Sequence, residues 1–96
     1  MIDYLFLMHN DRSNASNLEW GPYIAKLQEA GCFNGGSAIG AGECVRKSGT
    51  ASKITGHVTG YIRVKAKDMS HAKLLLEGNP VFEAGGTVEI RELPQE

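Results

Sequence analysis

The last third of the chain constrains the fold most strongly, because residues 60–93 read as a strand, a short helix and a second strand with few residues between them. Residues 61–67 alternate apolar and polar side chains, which indicates a strand with one buried face. Asp68 then occupies a helix N-cap position, and Asn79 precedes a proline and therefore ends the helix. Residues 87–91 alternate again. The segment predicts a helix that packs on one face of a sheet.

The first third of the chain predicts another strand followed by a helix. Residues 3–9 include five consecutive apolar side chains, which is typical of a central strand. A capping box at 16–19 precedes an apolar stripe with helical spacing, formed by Trp20, Tyr23, Ile24 and Leu27. Pro22 lacks an amide donor, so it predicts a kink or a restart of this helix near its first turn. Gly31 predicts the end of the helix.

The middle of the chain carries weaker signals. Four glycines between residues 35 and 42 indicate a strand that bends or approaches another backbone closely. Residues 43–46 and 53–55 flank Ser48-Gly49 and predict a β-hairpin. Residues 80–84 predict a short bridge or a strand fragment after the second helix.

Together these elements predict a single α+β domain over residues 1–96. The order of strands and helices is that of a ferredoxin-like sandwich with an antiparallel sheet and its helices on one face. A chain of 96 residues has room for one core. The other face of the sheet has no helix to cover it. We therefore expect a second copy of the chain to pack there, which makes the protein a homodimer.

Composition and charge argue against several classes of protein. The net charge of −1 is not that of a polyanion binder, and no aromatic row accompanies the basic side chains of residues 46–67, so we expect no nucleic-acid partner. The longest apolar run is strand-length and no export signal is present, so we expect no membrane association and a cytoplasmic location. Cys32 and Cys44 lack metal-ligand spacing. We expect free thiols, no metal and no cofactor.

Several segments together are similar to one known family. They are residues 60–91 with the Asn79-Pro80 stop, the first strand with Asp11 after it, and a first helix that ends in Glu29-Ala30-Gly31 before a Gly-Gly strand. Over nearly its whole length the chain resembles the YCII-related family, including its DGPF-type relatives. The DGPF signature itself is absent, because residues 53–60 read Lys-Ile-Thr-Gly-His-Val-Thr-Gly. The resemblance implies a ferredoxin-like fold assembled as a dimeric α+β barrel.

The resemblance also bears on activity. Most members of that family have no assigned activity; some carry a His-Asp pair proposed as catalytic, and one branch acts as a dehydrochlorinase on chlorinated aromatics. The family's histidine lies in the first helix, and counting back from Gly31 places it at Trp20. Its aspartate precedes a proline after the second helix, which corresponds to Asn79. An indole does not exchange protons near neutral pH and an amide does not ionise, so the resemblance implies that the dyad is missing here.

Five residues are candidates for a functional site. His9 ends the first strand, and histidine is suited to proton transfer near neutral pH. Trp20 offers a flat wall for a planar ligand, and Asn79 offers an amide for hydrogen bonding. Tyr61 and Arg91 lie on the polar side of their strands, where they can contact a ligand or stabilise negative charge. The same residues also have purely structural explanations. These are hydrogen bonding at the end of a strand, packing in the core, the end of a helix and pairing across strands.

Two functional interpretations follow. In the first, a homodimer binds a small, partly aromatic ligand between its sheet and its helices, with Trp20, His9 and Asn79 around it and no proton-transfer dyad. In the second, His9 is the general base of a lyase- or isomerase-like enzyme, and Tyr61 or Arg91 stabilises developing negative charge. A purely structural or partner-binding dimer is a third interpretation. The sequence does not decide whether the protein is an enzyme, and it names no substrate.

Overall fold

A computed structural model describes residues 1–12 and 19–95 of the chain. In this part the chain forms an α+β structure with the element order β1 (Ile2–His9), α1 (Trp20–Glu29), β2 (Phe33–Ala38), β3 (Val58–Ala66), α2 (Met69–Leu74), α3 (Pro80–Glu83) and β4 (Val88–Leu93). None of these helices has the length and apolar character needed to cross a membrane.

The strands form one antiparallel sheet in the order β2-β3-β1-β4. β1 pairs with both β3 and β4, so that Phe6 lies opposite Ile62 on one side and Ile90 on the other. The first helix leads from β1 to the edge strand β2, and the other two lead from β3 to the edge strand β4. This order is compatible with the ferredoxin-like α+β fold, and the central position predicted for the first strand is confirmed.

The core lies on the face of the sheet that the helices cover. Every second side chain of the two central strands is buried there, namely Tyr4, Phe6, Met8, Ile62, Val64 and Ala66. The helices and the turn after α2 contribute Tyr23, Leu27, Ala72, Leu76 and Val81 to the same cluster. Full burial of a large apolar side chain contributes roughly 1.5–3 kcal/mol, so this face supplies most of the stability of the fold.

The opposite face of the sheet, which we call the open face, is not covered by the helices of the core cluster. Its centre is apolar, because Leu5 and Leu7 of β1 are half-buried on this side. The register places residues of β3 and β4 on either side of these leucines. The open face includes Leu5, Leu7, His9, Tyr61, Arg63, Lys65, Glu89 and Arg91.

The two ends of α1 follow local sequence signals. The helix begins at Trp20 with Pro22 in its first turn, which confirms the predicted restart. The capping box predicted at 16–19 lies largely outside the described residues. At the other end Gly31 has a φ of 72°, and the residue after it donates its N–H to the carbonyl of Leu27 at 2.9 Å. This is the Schellman arrangement, so the predicted helix end is confirmed.

Two side chains cap the helices of the second half. Asp68 accepts the N–H three residues ahead at 2.8 Å and caps α2, as predicted. Asn79 accepts the N–H groups two and three residues ahead at 3.0 and 3.1 Å and begins α3. The prediction of a bridge or strand fragment over 80–84 is therefore wrong, because a capping asparagine before Pro80 favours a helical turn. Met69, the first residue of α2, is 39% exposed.

Residues 39–57 connect β2 to β3 without any helix or strand, so the hairpin predicted around Ser48-Gly49 is wrong. The apolar side chains of this segment have no surface to pack against: Val45 is 84% exposed and Ile54 is 49% exposed. A two-stranded hairpin with no apolar face to bury is marginally stable at best in water. The segment projects from the edge of the sheet as a long connection.

Candidate functional site

A cavity of about 380 Å³ opens between the sheet and α1. Its apolar walls are formed by Met8, Trp20, Ile24, Phe33, Ala38, Ile62 and Val81. The polar residues among the described lining are Arg12, Ser37, Thr59 and Tyr61. Small-molecule sites typically measure about 300–1,000 Å³ and combine a mostly apolar lining with a few polar groups. The cavity has the size and the lining of such a site.

Trp20, the first residue of α1, forms part of the cavity wall. Its side chain is 37% exposed, and its ring meets that of Tyr23 edge-on with the centroids 6.1 Å apart. The core positions of the helix are filled by Tyr23 and Leu27 instead. Because Trp20 is only partly covered, its indole is available for contact with a planar ligand.

Asp11 fixes the chain that follows β1 beside this cavity. Its Oδ1 accepts the backbone N–H of Thr87 at 2.8 Å, and its Oδ2 accepts the Thr87 hydroxyl at 2.6 Å. These hydrogen bonds stabilise the ionised carboxylate and lower the pKa of Asp11. The next residue, Arg12, is thereby held against the start of β4, and it contributes to the cavity lining.

Gly86 allows two lining residues to come close to each other. A Cβ at this position would lie 2.8 Å from Cγ1 of Val81 and 3.4 Å from Cγ of Arg12. Real side chains do not tolerate the first of these distances, so any larger residue would displace Val81. The absence of a side chain therefore lets Val81 and Arg12 share one end of the cavity.

A second group of polar side chains lies on the open face, at the end of β1. His9 Nε2 lies 3.1 Å from Oε1 of Glu89, while Nη1 of Arg91 donates to Glu89 Oε2 at 3.1 Å. Arg91 first, and His9 second, lower the pKa of Glu89 by hydrogen bonding to its ionised form. The ring of His57 meets that of His9 edge-on, with 4.8 Å between centroids. A carboxylate in this position orients the imidazole ring.

Asn79 is fully buried and does not belong to the described lining of the cavity. Its Oδ1 is occupied by the backbone of α3. Nearby, Tyr23 donates its hydroxyl to the carbonyl of Leu75 at 2.7 Å, and burial raises the pKa of Tyr23 to about 12. The side-chain amide of Asn79 lowers the pKa of Tyr23 and so opposes the effect of burial. The Nδ2 of Asn79 makes no hydrogen bond of ordinary geometry with any described residue.

The structure brings two of the five predicted site residues, Trp20 and Tyr61, to the cavity. The alternation along β3 places the Tyr61 side chain on the open face, so this residue belongs to both regions. His9 and Arg91 lie together on the open face, joined by a carboxylate. Asn79 lies at the start of α3 as its N-cap, outside the described lining of the cavity. The five residues therefore do not converge on one cleft.

Sequence reasoning did not single out Arg12, and although it considered Glu89 as a polar contact for a ligand, it did not predict the contact of Glu89 with His9. The alternation of the last strand indicated the polar side on which Glu89 lies, but the partner strand was needed to bring it to His9. Arg12 falls in a polar loop that has no pattern of its own. In the part of the chain that the structure describes, no group of three or more His, Cys, Asp or Glu side chains is arranged to hold a metal ion.

No family model, no curated protein and no solved structure matches this chain. The resemblance to the YCII-related family therefore stays a prediction. A functional assignment depends on the cavity and on the open-face group of His9, Glu89 and Arg91.

Proposed function

We propose that this protein is a homodimer, similar to the YCII-related family, that binds a small, partly aromatic ligand in the cavity beside Trp20. The observation that carries the proposal is the place of Trp20 in the wall of a cavity of about 380 Å³ with a largely apolar lining. Such cavities bury most of the surface of a small ligand. Contact between an aromatic ligand and the indole contributes about 0.5–1.5 kcal/mol beyond the area buried.

The proposed binding function does not involve the His-Asp dyad of the family. Trp20 occupies the position that the resemblance assigns to the histidine, and Asn79 occupies the position of the aspartate. Asn79 is fully buried and its Oδ1 caps α3, which accounts for this side chain without proton transfer. A cavity wall of this kind suits binding better than acid–base chemistry.

The dimer in this proposal forms through the open face and closes the two sheets into a dimeric α+β barrel. The support is the half-buried apolar centre of that face, Leu5 and Leu7, which a second copy would cover. We place this dimer in the cytoplasm, since Cys32 and Cys44 are free thiols, the state that a reducing compartment maintains.

Sedimentation at several concentrations tests the dimer. We expect a dimer at micromolar concentration, and we expect Leu7→Lys to shift the equilibrium to monomer because it places a charge in the apolar centre of the interface. Leu74→Lys is the matched control, since Leu74 is 72% exposed on α2. A wild-type chain that stays monomeric in the micromolar range contradicts the dimer.

Titration of small aromatic compounds tests the binding function. Trp20 is the only tryptophan of the chain, so its fluorescence reports on the cavity wall. We expect a saturable change in this signal, and weaker binding by Trp20→Leu in calorimetry. Phe82→Leu is the control, because Phe82 is 45% exposed and outside the described lining. Aromatic compounds that leave the Trp20 signal unchanged, or that bind Trp20→Leu equally well, contradict the proposal.

A second candidate function is favoured by the contact between His9 and Glu89. With Nε2–H donated to the carboxylate at 3.1 Å, Nδ1 of His9 carries a lone pair that is able to accept a proton. In a lyase- or isomerase-like step Nδ1 removes a proton from a substrate carbon, and the electrons of the broken C–H bond move into the adjoining π system. Tyr61 or Arg91 stabilises the resulting negative charge.

A screen with small hydroxylated aromatic substrates tests this second candidate. We expect turnover to fall in His9→Ala and, by a smaller factor, in Glu89→Gln, because the amide still orients the ring but does not stabilise its protonated form. His71→Ala is the matched control, since His71 accepts a hydrogen bond from the backbone of Lys67 away from this group. Equal turnover by wild type and His9→Ala removes His9 from the mechanism.

A further inference from the structure

We propose that the cavity selects anionic ligands, namely small carboxylates with an aromatic or other apolar body, and that Arg12 recognises the carboxylate. This inference rests on the proposed binding function, because it specifies the charge of the ligand that the same cavity takes.

The charge of the lining carries the first step of the argument. Arg12 is the one charged side chain in the described lining, which contains no Asp or Glu. Residues 13–18, which follow Arg12 in the chain, contain no acid either. No acid of the described lining neutralises the guanidinium, so the cavity favours a ligand with an anionic group. The N–H donors of the guanidinium match the two oxygens of a carboxylate in geometry.

The acids of the described chain leave the Arg12 guanidinium unpaired. The neighbouring acid in sequence, Asp11, uses both of its oxygens for Thr87. The ion pairs among residues 1–12 and 19–95 join Glu89 to His9 and to Arg91, and Arg12 takes part in neither. The positive charge is therefore available to a ligand.

The hydroxyl donors of two lining residues, Ser37 and Thr59, are already used. The side chain of Tyr61 lies on the open face by the alternation along β3. Ser37 donates its hydroxyl to the carbonyl of Ala38 at 2.9 Å, and Thr59 donates its hydroxyl to the carbonyl of Met8 at 3.4 Å. Their oxygens are left as acceptors, which suit a carboxylate poorly. Besides the indole N–H of Trp20, Arg12 is thus the lining side chain that offers hydrogen-bond donors to an anion, and it is the one that carries a charge.

The position of Arg12 is also partly fixed before a ligand arrives. The two hydrogen bonds of Asp11 hold the backbone beside β4, and the arginine stem lies 3.4 Å from where a Cβ of Gly86 would be. Ordering a long side chain opposes binding, so a stem that already lies against the protein loses less freedom. The apolar body of the ligand then lies toward Trp20.

Three probes with one phenyl body and different charge test the inference: phenylacetate, phenylacetamide and 2-phenylethylamine. Binding is followed by NMR through the indole N–H of Trp20. We expect wild type to bind phenylacetate about threefold to tenfold more tightly than phenylacetamide, or about 0.7–1.4 kcal/mol, and the amine most weakly. Arg12→Gln should bring the acid and the amide to equal affinity, and Arg12→Lys should retain part of the preference.

Arg46→Gln is the matched control, because Arg46 is an exposed residue of the 39–57 connection outside the described lining. It should keep the full preference for phenylacetate. Equal binding of acid and amide by wild type, or an unchanged preference in Arg12→Gln, overturns the anion selectivity and leaves the binding function in place. Failure of all three probes to bind wild type contradicts both. The three-probe comparison on wild type decides the matter even where a variant misfolds.

Discussion

Glu89 of β4 holds the imidazole of His9 at 3.1 Å, although the two residues lie at opposite ends of the chain. The antiparallel pairing of β1 with β4 produces this contact, since Glu89 lies opposite Leu7 and the backbone N–H of His9 donates to the carbonyl of Thr87. The same carboxylate also accepts from Arg91. His9 therefore shares its acidic partner with a permanent cation.

The shared carboxylate gives a prediction about the pKa of Glu89. Hydrogen bonding from Arg91 is the largest cause of its lowered pKa, and hydrogen bonding from His9 is the next. We expect Arg91→Gln to raise the pKa of Glu89 more than His9→Ala does, as measured by carboxyl carbon NMR titration. Lys65→Gln, which changes a residue of β3 on the open face, should leave the pKa of Glu89 unchanged. A larger rise in His9→Ala than in Arg91→Gln is the contrary result.

The Asp11–Thr87 contact predicts a loss of stability in acid. The pKa of Asp11 is lowered in the folded protein, mainly by the hydroxyl and backbone N–H of Thr87. Its contribution to the free energy of unfolding is therefore complete above the ordinary value of 3.8 and is lost as pH falls through the folded value. In urea unfolding, we expect Asp11→Asn to be less stable than wild type at pH 7 and this difference to shrink as the pH falls below 3.8.

Glu43→Gln is the control for that experiment, since Glu43 lies in the exposed 39–57 connection. Its difference from wild type should be small throughout the same range. A difference between Asp11→Asn and wild type that stays constant with pH would remove the ionised form of Asp11 from the stability of the β1–β4 edge.

The parts of the fold that the sequence predicts are those with local causes. Gly31 ends α1 because a left-handed residue is cheap for glycine, and Asp68 caps α2 because its side chain reaches an amide three residues ahead. The alternation of β3 also follows from burial of one face. The prediction of a hairpin around Ser48-Gly49 was wrong because a hairpin is stable only when it packs on another surface of the fold. The local sequence does not show whether such a surface exists.

The residues of the candidate site likewise include some that local sequence indicates and others that depend on contacts distant in sequence. Trp20 was singled out from its residue type and its position on the first helix, and it lines the cavity. Its role in binding stays a prediction. Arg12 was missed, and the contact of Glu89 with His9 was not predicted, because both depend on the pairing of β1 with β4. The hydrogen bonds from Thr87 to Asp11 position Arg12, and the register of the two strands positions Glu89. Contacts between residues far apart in sequence were needed for both, and no local pattern contains them.

The buried cap of α3 predicts that Asn79 is a stability residue. Its Oδ1 accepts two backbone N–H groups while the residue is fully buried. We expect Asn79→Ala to lower the free energy of unfolding by about 1–2 kcal/mol, as measured in urea, because one buried and one partly buried amide lose their acceptor. Asp68→Ala removes an exposed cap of the same kind and should cost less.

A ligand titration separates this role of Asn79 from the binding role that the sequence suggests. The titration is carried out at a temperature below the unfolding transition of the variant, so that the protein is folded throughout. Asn79→Ala should then bind aromatic ligands with the affinity of wild type, because Asn79 is outside the described lining. A loss of affinity without a loss of stability would return Asn79 to the binding site.

The close approach of β2 to β3 makes Gly36 the most sensitive glycine of the cavity region. A Cβ there would lie 2.7 Å from the carbonyl oxygen of Tyr61 and 3.1 Å from Cα of Ile62, both backbone atoms that cannot rotate away. We expect Gly36→Ala to lower the free energy of unfolding by about 1–3 kcal/mol, since β2 must move away from β3. Gly40→Ala, with no atom within 4 Å of the new Cβ, should change it little. Equal stability of the two variants would mean that β2 is free to shift, and the cavity wall that it forms would not have a fixed shape.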